Sequence, residues 1–183
     1  MDLKAAKRLK LQLLILRTQS GSESGFKELL KLFNGLTMKY LGTLLDDADI
    51  EDAQQLVWLK VYQQISNLSS PFGFKRWLMQ ITHRVAVDYL KGNEKYKKTT
   101  YVESGTSFLS ETESIEIPKG FEQLHIAISK LSIEHKEVIL LFYWQEFTCM
   151  EISQILSCSV GTVKSRLFNA RQYLQRTKSI KNL

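Results

Sequence analysis

Between Thr148 and Arg171 the sequence reads TCMEISQILSCSVGTVKSRLFNAR, and this stretch constrains the fold more than any other. Ile152, Ile155 and Leu156 recur at i, i+3 and i+4, while Val160, Val163, Leu167, Ala170 and Leu174 lie near one face of a second helix. Amphipathic helices this short are expected to hide their apolar faces against each other, in one shared seam. Thr148 and Glu151 have the spacing of a capping box, Ser159 is placed to cap the second helix, and the turn falls on Ser157-Cys158. This is the pattern of a helix-turn-helix. On the outward side of the second helix stand Thr162, Lys164, Ser165, Arg166, Asn169 and Arg171, types that hydrogen-bond phosphates and base edges in a major groove.

The charge agrees with an acidic partner. The chain has 183 residues, 44% of them hydrophobic, with a formal charge of +6, enough for one or two small cores. From Ser157 onward there are Lys164, Arg166, Arg171, Arg176, Lys178 and Lys181 but no acid, whereas residues 99–118 hold Glu103, Glu111, Glu113 and Glu116 with no base. Two cysteines, Cys149 and Cys158, and three histidines, His83, His125 and His135, make neither a four-ligand zinc site nor a disulfide framework. No metal or cofactor is expected, and a reduced cytoplasmic setting is the simplest reading. There is no glycine-rich phosphate loop, no HExxH and no nucleophile with an evident base, so the chain is not read as an enzyme and no small-molecule substrate is expected. No apolar run reaches the roughly 20 residues of a membrane span. The opening MDLKAAKRLKLQLLIL reads as a short amphipathic helix.

The expected fold is all-α: two helical domains joined by a flexible linker, the second containing the helix-turn-helix. Residues 1–92 form the first domain, 93–119 the linker, polar and rich in Ser, Thr and Glu, and 120–183 the second domain. Phe26, Leu29, Leu30 and Phe33 begin one helix, and Tyr40, Leu41, Leu44 and Leu45 suggest another. Trp58, Val61, Tyr62 and Ile65 form a third stripe; Phe74, Trp77, Leu78, Ile81 and Val85 a fourth, after a loop punctuated by Pro71 and Gly73. In the second domain Phe121, Leu124, Ile128 and Leu131 give one helix, and Val138, Leu141 and Phe142 another. No segment alternates long enough for a strand.

Two further features carry chemistry. Asp46, Asp47, Asp49, Glu51 and Asp52 lead into the Trp58 helix, more acids than an N-terminus needs. They are either an exposed first turn or a docking surface for a basic partner helix, with Gln55 and Lys60 outward beside them. Phe72, Phe74, Lys75, Arg76 and Trp77, followed by His83, Arg84, Lys91, Lys95, Lys97 and Lys98, interleave aromatics with bases. Rings stack on unpaired bases and cations follow a backbone, as single-stranded nucleic acid requires. Phe74 and Trp77 fall on the apolar stripe and are read as core. Phe72, in the loop, is the candidate for a base contact.

IEDAQQLVWLKVYQQI, then FKRWLMQITHRVAVDYLK, then LSIEHKEVILLFYWQEFTCMEISQILSCSVGTVKSRLFNARQYL together resemble the extracytoplasmic-function group of bacterial sigma factors. The resemblance spans most of the chain. It implies a dissociable RNA polymerase subunit that binds core enzyme, directs promoter-specific initiation and helps open the promoter. On that resemblance the polymerase-binding surface falls on Asp49, Asp52, Gln55 and Trp58. Minus-ten contacts fall on Asn67, Phe72, Lys75, Arg76, Arg84 and Lys91, and minus-thirty-five contacts on Thr162, Lys164, Ser165, Arg166, Asn169 and Arg171. Its implied partners are core polymerase, promoter DNA and an anti-sigma factor, membrane-anchored in some relatives. Four positions depart from the family pattern: Leu56 replaces an acid or amide, Arg84 an Asn, Ser157 a Gly and Asn169 an Arg. The alternative, a conventional helix-turn-helix regulator with an N-terminal sensing or dimerisation domain, accounts equally for Ser159–Arg171. It leaves the acidic helix and the aromatic-basic helix without a reason.

Overall fold

The computed structural model describes residues 3–97 and 126–180. The chain divides into two compact units, Met1–Thr106 and Ser107–Leu183. All regular structure among the described residues is helical.

The first unit holds α1 (Leu3–Gln19), α2 (Glu23–Leu44), α3 (Asp47–Gln64) and α4 (Phe74–Lys97), with 3-10 turns at Ile65–Asn67 and Pro71–Gly73 between the last two. α1 ends in a Schellman motif: Ser22 N–H donates to the Arg17 carbonyl at 3.1 Å and Gly21 N–H to that of Thr18 at 3.0 Å. Gly21 supplies the left-handed residue, at φ +86°. Ser22 then caps α2, accepting from Gly25 N–H at 3.2 Å. The core is made by Leu14 and Ile15 of α1, Leu29, Phe33 and Leu41 of α2, Val57 and Val61 of α3, and Phe74, Leu78 and Val85 of α4. Phe33 and Phe74 meet edge to face at 5.2 Å. One polar cluster lies inside: Gln54 Nε2 donates to Asn34 Oδ1 at 2.6 Å and to Thr37 Oγ1 at 2.7 Å.

Two sequence expectations change here. The helices expected at Phe26–Phe33 and Tyr40–Leu45 are one continuous α2. The buried spacing runs on through Phe33, Thr37, Tyr40, Leu41 and Leu44, and the Thr37 hydroxyl, donating to the Phe33 and Asn34 carbonyls, removes the polar penalty that disguised the stripe. Tyr62, assigned to the apolar stripe of α3, is outward, with only its edge on Phe26 at 5.1 Å; Ala53, Val57 and Val61 make the buried face instead.

The second unit holds a helical stretch at 126–129, then α5 (Ile133–Ile139), α6 (Cys149–Ile155) and α7 (Val160–Ile180). α5 widens into a π-helical turn, Leu140–Trp144, which the sequence pattern does not announce. Gln145 N–H reaches the Leu140 carbonyl at 3.1 Å and Glu146 turns left-handed at φ +57°, which carries Phe147 into the core. Ile152, Ile155 and Leu156 of α6 and Val163, Leu167 and Ala170 of α7 form the expected seam. α4 continues to Lys97, five residues past residue 92. The linker from residue 98 on, with Phe121 and Leu124, lies outside the described residues.

The turn between α6 and α7 carries a measurable strain. Ser157 sits at φ +52° and Cys158 N–H closes the turn on the Ser153 carbonyl at 3.0 Å. A left-handed non-glycine residue costs about 1–2 kcal/mol, partly offset by the greater unfolded freedom of glycine. Ser157→Gly should therefore stabilise the second unit by roughly 0.5–1 kcal/mol. Thermal unfolding checks it, and a lower midpoint would contradict the strain.

Candidate nucleic-acid and polymerase interfaces

Three surfaces are built on these elements. The first is the start of α3, where Asp47 and Asp49 fall in the first turn, favourably placed against the positive end of the helix. Asp52 and Gln55 are exposed and Asp49 half-buried. Tyr89 of α4 stands beside them: burial raises its phenol pKa, and the carboxylates of Asp52 and Asp49 raise it further. Lys60 reaches Asp88 at 4.0 Å, a half-exposed pair that contributes little to stability. Trp58 is only 5% exposed, packed edge to face on Phe26 at 5.9 Å, its indole N–H without a hydrogen-bond partner among the described residues. It shapes the surface from beneath. Leu59 (52% exposed) and Tyr62 (62% exposed) lie outward one and two turns beyond Gln55. Sequence reasoning placed neither on this surface, although i+4 and i+7 from Gln55 was the available signal.

The second surface begins at the Pro71–Gly73 turn. Pro71 occupies the first position of the turn, and Gly73 N–H donates to the Ser70 carbonyl at 3.1 Å. Phe72 stands out at 81% exposure, while Phe74 is wholly buried and Trp77 half-buried against it. Asn67 is exposed at the preceding turn. Along α4, Arg76, Gln80, Arg84 and Lys91 recur at i, i+4, i+8 and i+15, one line along the helix. Gln80 is a member that sequence reasoning omitted. Arg76 folds toward the turn, its Nη2 lying 3.4 Å from where a Cβ on Gly73 would stand. Lys75, one residue earlier, is rotated roughly 100° from Arg76 and leaves the line. His83 flanks it, its Nδ1 3.0 Å from the Tyr40 hydroxyl.

The third surface is α7. Thr148 and Glu151 form the complete capping box, with Glu151 N–H on Thr148 Oγ1 at 3.2 Å and Thr148 N–H on Glu151 Oε2 at 2.9 Å. Ser159 caps α7 by accepting from Thr162 N–H at 3.0 Å, and its hydroxyl also meets that of Thr162 at 2.8 Å. Lys164, Ser165 and Asn169 are exposed together, and Phe168 lies outward among them at 58% exposure. Phe168 was read as neither core nor contact; its i+3 spacing from Ser165 was the signal. Arg166 is half-buried on the flank of α7. The Glu134 carboxyl is held below its ordinary value by its own backbone N–H, then by the Ser132 hydroxyl, with the Arg166 guanidinium adding to both. Arg171 turns to the π-helical segment: its Nε donates to the Tyr143 hydroxyl at 2.7 Å and its guanidinium lies 5.5 Å from the Phe142 and Tyr143 ring centres.

Among the described residues no group of His, Cys, Asp and Glu is placed to hold a metal ion, and no helix is long and apolar enough to cross a membrane. A helix-turn-helix with a polar outer face, in one chain with a helical unit bearing an acidic ridge and an aromatic-cationic line, places the chain in the class of DNA-binding transcription proteins. Residues 26–96 match the family model for sigma-70 region 2, and residues 121–174 that for sigma-70 region 4. The chain is 26% identical over 185 residues to the ECF RNA polymerase sigma-E factor of Haemophilus influenzae, covering 93% of this chain and 96% of that one. It is 25% identical over 172 residues to the sigma-E factor of Escherichia coli K12, covering 88% and 90%. The fold is shared with two solved structures. The sigma factor RpoE of Bartonella quintana, in complex with the anti-sigma factor NepR, superposes with a TM-score of 0.68 at 22% identity, over 85% of this chain and 97% of that one. CnrH, in complex with the cytosolic domain of CnrY, gives 0.63 at 18% identity, over 93% and 97%. The chain belongs to the sigma-70 family, in its extracytoplasmic-function group. It is an RNA polymerase sigma subunit that directs promoter-specific transcription.

Proposed function

We propose that the three surfaces divide the work of initiation. The ridge of Asp49, Asp52 and Gln55, completed by Leu59 and Tyr62 and shaped by Trp58, binds core polymerase, its acids steering a basic partner and its apolar side chains supplying buried area. Asn67, Phe72, Arg76, Arg84 and Lys91, with Gln80, engage the unpaired minus-ten strand; Lys75 takes a phosphate from the side. Lys164, Ser165 and Asn169 read the minus-thirty-five duplex, Phe168 adds an apolar contact of the kind that recognises a thymine methyl, and Thr162, Arg166 and Arg171 border them. The exposed Phe72 at the head of a line of cations carries this reading, because a duplex reader alone has no use for it.

On this reading the subunit is cytoplasmic, dissociable and not itself catalytic, and RNA synthesis belongs to the polymerase. RpoE with NepR and CnrH with CnrY support an anti-sigma partner for this chain as well. Reconstitution with bacterial core polymerase and a promoter library tests the assignment. Initiation that depends on the protein is expected; binding to duplex as a free dimer, with no effect on core polymerase, would favour the regulator instead.

Lys164→Ala probes the division of labour. A good side-chain contact to a base edge is worth about 1–3 kcal/mol, so promoter selectivity should fall at least about fivefold with core affinity unchanged. Equal loss of both, in a competition assay for core enzyme and a promoter titration, would contradict the division.

A further inference from the structure

Phe72 has no neighbours that hold its ring, so its position depends on the backbone that presents it. That backbone is tied from an unexpected side. Gln19, the last residue of α1, donates through Nε2 to the Ile65 carbonyl at 3.0 Å and to the Leu68 carbonyl at 2.8 Å, 46 and 49 residues further along the chain. Leu68 N–H also donates to the Ile65 carbonyl at 3.1 Å, so one amide closes the Ile65–Leu68 turn from outside. The backbone that carries Gln19 is anchored in turn. The Schellman motif around Gly21 fixes the end of α1, and α2 packs so tightly that a Cβ on Gly25 would lie 2.9 Å from Thr18 Oγ1. Neither helix can slide without breaking this packing.

We propose that Gln19 is a positioning residue for promoter opening: it pins the Ile65–Leu68 turn and thereby sets where Phe72 meets the unpaired strand. The inference rests on the minus-ten reading of that loop. Without the amide, the Leu68 carbonyl must find water, the Ile65 carbonyl keeps only the Leu68 N–H, and the turn loses its cross-link to α1. Residues from Leu68 to Gly73 then sample more conformations, and the strand contact must order them again.

The test uses holoenzyme. Gln19→Met keeps side-chain length and removes the donor; Gln19→Lys restores a donor to the same place. Permanganate reactivity of the minus-ten strand should fall about tenfold in Gln19→Met, the size expected for two lost neutral hydrogen bonds. Preference among minus-ten variants should flatten, with core affinity unchanged and Gln19→Lys recovering most of both. Unaltered selectivity, a parallel loss of core affinity, or failure of Gln19→Lys to rescue would overturn the proposal. Phe72→Ala separates the two readings. If it leaves opening intact the minus-ten assignment of the loop fails, and if it impairs opening while Gln19→Met does not, the Gln19 pin alone fails.

Discussion

Phe72→Ala is expected to leave the protein folded and bound to core polymerase while reducing promoter opening by between about 5- and 150-fold. The magnitude follows from stacking, since an aromatic ring under an unpaired base is worth about 1–3 kcal/mol. The selectivity of the effect follows from exposure. A side chain that is 81% exposed contributes little to the core, and truncation at such a site stays within about 0.5 kcal/mol of wild-type stability. On the proposed reading Arg76, Arg84 and Lys91 remain to hold the strand backbone, so closed-complex affinity should change less than opening. Permanganate footprinting beside a core-binding competition separates the two. A reduced melting temperature with unchanged opening would show that Phe72 serves the fold instead.

Leu167→Ala is expected to unfold much of the second unit. Leu167 is buried where α6 and α7 pack together, as are Val163 and Ala170 of α7 and Ile152 and Ile155 of α6. Truncating a buried leucine costs about 2–5 kcal/mol. A unit of this size has a total stability of roughly 4–11 kcal/mol, so a single cavity removes a large share of it. On the proposed reading duplex affinity should collapse although Leu167 is buried, because Lys164 and Asn169 keep their places only while the seam holds. Leu167→Met, which conserves volume, should cost less than about 1.5 kcal/mol and retain binding. Amide hydrogen exchange across Cys149–Arg171 reads the effect directly; unchanged protection in Leu167→Ala would refute the account.

The helix-turn-helix was legible in the sequence nearly atom by atom. Thr148 with Glu151, Ser159 with Thr162 and the turn at Ser157 join residues within five positions of one another, so spacing alone specifies the partners. The acidic start of α3 was legible for the same reason. Membership of the α3 surface was not. Trp58 and Leu59 are adjacent and both apolar, yet Trp58 is buried and Leu59 exposed, because α2 and α4 decide which side of α3 becomes interior. Lys75 and Arg76 are both half-buried, yet Arg76 shares the line of Gln80 and Arg84 while the helical turn takes Lys75 off it.

What the sequence by itself determined is the helical class, the two-part organisation expected of the chain, and the residue types at each surface, because period, capping and charge segregation are local properties. What only the tertiary structure decided are the contacts that cross the chain. Arg171, expected in the groove, is committed to Tyr143, 28 residues away, and Gln19, with no motif around it, reaches the loop that presents Phe72. The physical reason is common to both. A hydrogen bond between distant residues depends on where packed helices place their ends, and no local period encodes that distance.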